Sequence, residues 1–235
     1  MSDLHLEKGN VINVVPKAPY LILAGDIGSP IEDTYLTFLK DVSKKFQRIF
    51  LIAGNHEYYN NNIPDTDNLI RKLVKPLKNV IFLQNDVYHF PNCNLSVFGT
   101  TLWSKISMED SYMIQCLIGD YRCINDFNIG ECLRLHYDAI KAFKHYRERF
   151  QDRKWLCITH HLPSTSLINI KYKNNILNSA YASDVKEFCD DNVLAVVYGH
   201  THIKNVFGKY YCNPIGYPDE GITWDLEACF NIKIT

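Results

Sequence analysis

The sequence predicts an α/β protein with parallel strands and a polar site at their carboxyl ends. Three observations carry that prediction. The first is that four apolar runs each end abruptly in a polar cluster. Tyr20-Leu21-Ile22-Leu23-Ala24 ends at Gly25-Asp26, and Arg48-Ile49-Phe50-Leu51-Ile52-Ala53 at Gly54-Asn55-His56-Glu57. Trp155-Leu156-Cys157-Ile158-Thr159 ends at His160-His161, and Val193-Leu194-Ala195-Val196-Val197-Tyr198 at Gly199-His200-Thr201-His202. Unbroken apolar runs of this length read as strands buried on both faces. The second is the helical spacing of Ile31, Tyr35, Phe38, Leu39, Val42 and Phe46 between the first two runs, a βαβ pattern that implies parallel pairing. The third is that every cluster falls at a strand end, where open α/β sheets bind ligands.

The chain has 235 residues, 46% hydrophobic and 22% charged, which fits one compact domain over residues 1–235 with a single sizeable core. A net charge of -1 supplies no global basic field for nucleic acid or a membrane surface. No apolar run approaches the length of a membrane span. The eight cysteines contain no C-x-x-C pair and follow no signal peptide, so a reducing, cytoplasmic location without disulfides is expected.

In chain order, Asp3 and His5 stand two residues apart, on one side of an extended segment. Almost nothing precedes them, so a first strand shortened to Met1-Ser2 and weakly held is expected, with a loose first metal site. The strand at 20–24 leads to Asp26, which is either a turn residue or the one carboxylate placed to bridge two ions. A helix over 31–46 and the strand at 48–53 follow, then a polar and aromatic loop, Tyr58 to Asn62, beside the site. Leu69 to Val74 reads as a short helix, and 80–83, 87–90 and 95–99 as strands separated by turns; His89 is a packed structural histidine. Residues 103–150 read as a helical, cap-like segment, strongly helical from Glu131 to Phe150. A polar loop from Tyr172 to Asn178, a helix from about Tyr181 to Cys189 and a strand-rich tail from Val206 to Ile234 complete the chain, with a hairpin turn at Gly208-Lys209.

The clusters share a chemistry. Imidazole nitrogens, carboxylates and one amide carbonyl match Mn, Fe or Zn better than an all-oxygen calcium or magnesium cage. Asp3, His5, Asp26, Asn55, His160, His200 and His202 are enough ligands for two adjacent divalent or trivalent ions that share one carboxylate. Such a pair clamps both the attacking and the leaving oxygen of a displacement at phosphorus and acidifies a bridging water into the nucleophile. His56, beside Asn55, points away from the ligand and serves as proton donor to the leaving group, with Glu57 to orient it.

The pattern Asp3-Leu4-His5, Gly25-Asp26, Gly54-Asn55-His56-Glu57, His160-His161 and Gly199-His200-Thr201-His202 resembles the calcineurin-like metallophosphoesterases. A closer likeness runs to uncharacterised bacterial-type phosphoesterases of that superfamily, through Gly99-Thr100-Thr101-Leu102-Trp103-Ser104, Asp120-Tyr121-Arg122-Cys123-Ile124 and Cys212-Asn213-Pro214-Ile215-Gly216-Tyr217-Pro218, among other segments. The resemblance implies a four-layer α-β-β-α sandwich of two mixed sheets. It assigns Asp3, His5 and His202 to a first ion, Asp26 to the bridge, Asn55, His160 and His200 to a second, and the catalytic histidine role to His56. It places His161 outside the metal shell, near the substrate mouth or in the shell behind the ligands.

The expected activity is hydrolysis of a small phosphomonoester or phosphodiester, with Tyr59 and Arg122 bordering the pocket and Arg122 offering its rigid fork to phosphate. Two alternatives use the same residues. A nuclease would act on short or single-stranded nucleic acid, gripped by Arg122 and Lys171-Tyr172-Lys173, although the charge balance does not favour it. A weakly active or inactive binding scaffold would keep the fold alone.

Overall fold

The computed structural model describes residues 1–221 and 224–234. Its elements alternate strand and helix through the first half: β1 (Tyr20–Ala24), α1 (Asp33–Ser43), β2 (Arg48–Ile52), α2 (Ile63–Val74) and β3 (Val80–Phe82). The pairs β1–β2 and β2–β3 are both parallel, as a βαβ crossover requires, and together they form a three-stranded sheet. The second sheet is mixed and has six strands in the order β4-β5-β6-β7-β9-β8. These are β4 (Asp86–His89), β5 (Leu95–Thr100), β6 (Lys154–Thr159), β7 (Val193–Tyr198), β8 (Asn205–Phe207) and β9 (Tyr210–Cys212).

The period-two alternation along each strand sorts the core into layers. Leu21, Leu23, Ile49 and Leu51 face outward onto Tyr35, Leu39 and Val42 of α1 and Ile70 of α2. Their neighbours Ala24, Phe50 and Ile52 face the other way and meet Val97, Leu156, Ile158 and Ala195 of the second sheet. On that sheet's far side, Phe98, Trp155, Cys157 and Val196 pack against Ala139 and Phe143 of the long helix α5 (Ile129–Arg149). The result is the four-layer α-β-β-α sandwich. Helix α5 starts where Asn128 accepts the Glu131 amide, and Arg134 ties Glu131 to Asp138 across its first turns.

The segment Met1–Leu6 is held from both sides. Asp3, His5 and Leu6 amides donate to Gly25, Asp26 and Ile27 carbonyls, while Ile215 and Gly216 amides donate to Ser2 and Asp3 carbonyls. The weakly held segment expected from so short a start is not what the structure shows, although within it Ser2 alone forms a β-bridge, with Pro214. Loop backbone supplies the remaining bonds, and Asp3, Leu4 and His5 have no solvent exposure.

Three elements differ from the sequence reading. Helix α2 begins at Ile63, not Leu69, because Asn62 caps it through the Asp65 amide and Pro64 sits in the first turn, where its missing N–H costs nothing. The helix expected over 181–189 is instead one turn, α6 (Asn178–Tyr181), and a separate 3-10 turn at Lys186–Cys189. Leu162 donates to Tyr181 O and accepts from Ser183 N, forming a bridge at Ala182 that takes the backbone groups a helix would need. The tail carries strands only to Cys212, with the hairpin turn at Gly208, whose φ is +58. Beyond it, Ile215 and Gly216 are drawn to the Ser2–Asp3 segment, and Phe230 and Ile232 pack on the inter-sheet core without strand pairing. Residues 222 and 223 of that stretch lie outside the described residues. Among the described residues no helix is long and apolar enough to cross a membrane.

Helix α3 (Ser111–Leu117) and the single turn α4 (Asp120–Cys123) lie between β5 and α5. Within 103–150, residues 117–120 line the cleft described below, while Ala139 and Phe143 belong to the outer layer of the second sheet.

Candidate metal centre

Each of β1, β2, β6 and β7 stops short and hands its polar residues to one point. Three of them, Asp26, His200 and His202, together with Asp3 and His5 of the Met1–Leu6 segment, hold left-handed backbone without being glycine, with φ between +46 and +69. Such conformations cost energy and collect at functional sites. The approach is close enough to demand glycine nearby, since a Cβ at Gly54 would lie 2.2 Å from Asp26 Oδ1 and one at Gly25 2.6 Å from His160 Nδ1.

The imidazoles are oriented one by one. His5 Nδ1 donates to Glu7 Oε1 at 3.0 Å, His160 Nδ1 to the Ala24 carbonyl at 2.9 Å, and His202 Nδ1 to Glu220 Oε2 at 2.6 Å. Each partner can only accept, so the proton sits on Nδ1 and the Nε2 lone pair is left for the centre. Those lone pairs converge. His5 Nε2 and His202 Nε2 are 3.0 Å apart, His202 Nε2 is 3.6 Å from Asp3 Oδ1, and His160 Nε2 is 3.3 Å from Asp26 Oδ2. Asp26 Oδ1 is spent on the His56 amide at 2.8 Å, which leaves Oδ2 facing His5 at 3.8 Å as well as His160. Asn55 donates Nδ2 to Asp120 Oδ1 at 2.8 Å, and this turns its carbonyl to within 3.0 Å of His160 Nε2.

Two groups of donors result, Asp3–His5–His202 and Asp26–His160–His200, each with its ligand atoms within 4.8 Å of one another. A third, His5–Asp26–His56, places Asp26 between them. Buried Asp3 Oδ2 has no hydrogen-bond partner, and two facing Nε2 lone pairs repel unless something positive stands between them. These residues fit metal ions of the borderline class that takes imidazole, carboxylate and carbonyl donors.

His56 stands beside the ligands. Its Nδ1 bonds Glu7 Oε1 at 3.2 Å, its Nε2 meets the Tyr217 hydroxyl at 3.1 Å, and its ring stacks on Tyr59 at 4.3 Å. Burial disfavours the imidazolium, but the charges of Asp26 and Glu7 outweigh it, and the His56 pKa is raised. Glu7 is half-buried, which favours its neutral form, yet its bonds to His5 and His56 hold its pKa down at about 2.

Glu57 does not orient His56. Its carboxylate accepts three backbone amides, Gly54 at 2.7 Å, Ile27 at 2.8 Å and Asp26 at 2.9 Å, and so clamps the loops after β1 and β2 together. Burial and the neighbouring Asp26 charge push its pKa up to about 8, against the Ile27 and Gly54 amides and the His160 charge. The orienting role falls to Glu7, and Asp120 and Tyr217 join the site as further residues that the sequence reading did not single out.

The substrate residues divide. Tyr59 lines the cleft over the centre and donates to Asp120 at 2.7 Å. Arg122 is not among the lining residues; its side chain is exposed and donates to the Cys116 carbonyl. His161 is buried behind the centre, with Nδ1 on the Thr101 carbonyl at 3.2 Å and its ring 4.2 Å from that of His200. Burial, reinforced by His160, pushes its pKa down to about 3. Of the two places expected for it, the structure favours the one behind the candidate ligand His200 over the substrate mouth.

A four-layer α/β sandwich with histidine, aspartate and asparagine donors at its strand ends defines a metallophosphoesterase. Residues 1–204 match the calcineurin-like phosphoesterase family, and the chain belongs to it. Membership carries metal-dependent phosphoester hydrolysis as the general activity. The chain is 29% identical to the uncharacterized protein L509 of Acanthamoeba polyphaga mimivirus, over 99% of this chain and 95% of that protein. Its fold is similar to that of phosphopantetheinyl hydrolase from Mycobacterium tuberculosis, with a TM-score of 0.72, 14% identity, and coverage of 93% of this chain and 88% of that one.

Proposed function

We propose that this chain hydrolyses a small phosphomonoester or phosphodiester at a dinuclear centre. In this reading Asp3, His5 and His202 would hold one ion, Asn55, His160 and His200 the other, and Asp26 would be shared between them. When bound, Mn, Fe or Zn would supply Lewis-acid polarisation of the phosphoryl group and acidify water in the site. The observation that carries the reading is the orientation of three imidazoles by acceptors on Nδ1, which turns their Nε2 atoms towards Asp26 Oδ2 and Asp3 Oδ1.

The chain's own residues supply the rest. Glu7 holds His56 by Nδ1 and favours its protonated form, so that Nε2 presents a proton towards the cleft, where a leaving oxygen would take the place of the Tyr217 hydroxyl. Asp120 keeps the Asn55 carbonyl turned inward. Tyr59 supports His56 from its stacked face, and residues 117–120 form the part of the helical segment that covers the cleft.

The test is turnover of a chromogenic phosphodiester and monoester with Mn added and then chelated away. Activity should appear with the metal, vanish with the chelator and be lost together with metal content in D26A. Turnover unaffected by chelation, or retained in D26A, would remove the dinuclear reading.

A further inference from the structure

The cleft over the centre is about 580 Å³, far larger than a phosphoryl group needs and in the range that encloses an organic ligand. Apart from Lys8, Asp120 and Glu220, the lining above the centre is uncharged. Leu117, Ile118, Leu162, Ile168 and Leu177 line it together with Tyr172 and Tyr181. Leu117 and Tyr172, at the lips, are 53% and 45% exposed, so the apolar surface continues out to solvent. Interleaved with it are three asparagines whose amides are half used. Asn169 and Asn175 spend Oδ1 on the Lys171 and Leu177 amides, and Asn178 spends Nδ2 on the Tyr172 carbonyl. Among the described residues, the Nδ2 groups of the first two and the Oδ1 of the third have no partner, which leaves two donors and one acceptor in the cleft wall.

The charges point the same way. Among the described lining residues Lys8 is the one lysine and there is no arginine, while Asp120 and Glu220 contribute carboxylates. Lys171 lies over the Tyr172 ring at 4.6 Å rather than in the lining, and Arg122 is engaged by Cys116. A second phosphate would therefore meet two acids and a single mouth lysine. A polyphosphate or a nucleic-acid strand, which needs a row of cations, finds none.

We propose, on the basis of the hydrolase reading above, that the substrate carries one phosphorus atom joined to an uncharged arm with an apolar body and amide or hydroxyl groups. The arm lies against the apolar lining that includes Leu117 and Ile168 and exchanges hydrogen bonds with Asn169, Asn175 and Asn178. The phosphoryl group alone reaches the centre.

Matched phosphoesters test this with Mn-loaded protein. Phosphoethanolamine carries a cationic arm; acylating its nitrogen with a short chain gives a neutral amide arm, and a succinyl group gives an anionic one. The neutral amide should exceed both charged forms and pyrophosphate by about ten-fold or more in kcat/KM, the usual yield of a matched polar contact. The double variant N169D and N175D keeps both Oδ1 acceptors, and so the local turns, but puts two negative charges on the wall. It should bring the neutral-to-cationic ratio below one. Equal kcat/KM across the arms, or faster turnover of pyrophosphate, would overturn the proposal. Calorimetric binding of the corresponding phosphonates separates it from the hydrolase reading. A neutral-arm preference in binding without any hydrolysis removes the hydrolase reading and keeps the arm. Hydrolysis without a preference does the reverse.

Discussion

His56 and Glu57 are adjacent in the sequence, which suggests a pair, but neighbours in a tight turn point in different directions. Glu57 goes to backbone amides and Glu7, 49 residues from His56, takes its place. That partner was half legible. Glu7 continues the alternation that begins Asp3-Leu4-His5, and a carboxylate in that series is a ready acceptor for a histidine. Asp120 was not legible, since its bond to Asn55 spans 65 residues and only the fold brings them together. The seven candidate donors stand out in the sequence by residue types that suit one kind of ion, and Asp26, Asn55, His160, His200 and His202 also follow an apolar run. The consequence for His56 is testable. H56A should keep its metal and fold and lose about 10²- to 10⁴-fold in kcat, the range for one acid–base group. The loss should be smaller with nitrophenolate, a leaving group that needs little protonation. E7Q keeps an acceptor but removes the charge that favours the imidazolium, so it should show the same leaving-group trend at smaller amplitude, with metal content checked because Glu7 also holds His5. A mutant-to-parent ratio that stays flat across leaving groups would take the donor role from His56.

At the scale of elements, the strands were legible because burial on both faces writes an unbroken apolar run, and the errors fell where tertiary bonds override local pattern. Ala182 illustrates this, being helical by neighbourhood yet bridged to Leu162. Helix α2 was under-read at its start although Asn62 and Pro64 spell a helix opening. That first half of the helix braces the site. Tyr58, fully buried behind the Asn55 loop, donates to Asp67 of α2 at 2.9 Å and receives a bond from Gln84 at 3.1 Å. Burial raises the Asp67 pKa to about 6, over the opposing effects of the Tyr58 bond and Arg71. The folded state therefore holds this proton more tightly than the unfolded chain, whose aspartate titrates near pH 4. The contribution to stability is full below about pH 4, is lost as pH rises through about 6, and is level above that, a change on the order of 2–3 kcal/mol. D67N supplies a neutral acceptor that does not titrate. Its melting temperature relative to the parent should climb between pH 4 and 7 and then level off. A difference that does not vary with pH would show that Asp67 titrates alike in both states.

At the scale of the whole molecule, the donors come from parts of the chain that have little else in common. Asp26 and Asn55 follow strands of the three-stranded sheet, His160, His200 and His202 follow strands of the six-stranded one, and Asp3 and His5 lie on the segment between Gly25 and Gly216. Ions held there would tie the two sheets together at the end of the sandwich where strained backbone and facing lone pairs otherwise work against the fold. Whatever binds the native state and not the unfolded one stabilises it by mass action, by about 2.7 kcal/mol for a site at a hundred times its Kd. For a chain of this size that corresponds to a rise in Tm on the order of 5–10 °C per ion, reduced to the extent that unfolded histidines also bind metal. Mn added to chelator-treated protein should therefore raise Tm in a saturable way, and the effect should fade below about pH 6 because protons compete for the same imidazole nitrogens. D26A and H160A should lose much of the increment, while D67N, which touches no donor, should keep all of it. The variants separate an ion at the centre from a general salt effect, which would raise Tm alike in all of them. A Tm indifferent to Mn in the parent protein at neutral pH would mean that the seven residues do not act as ligands at all.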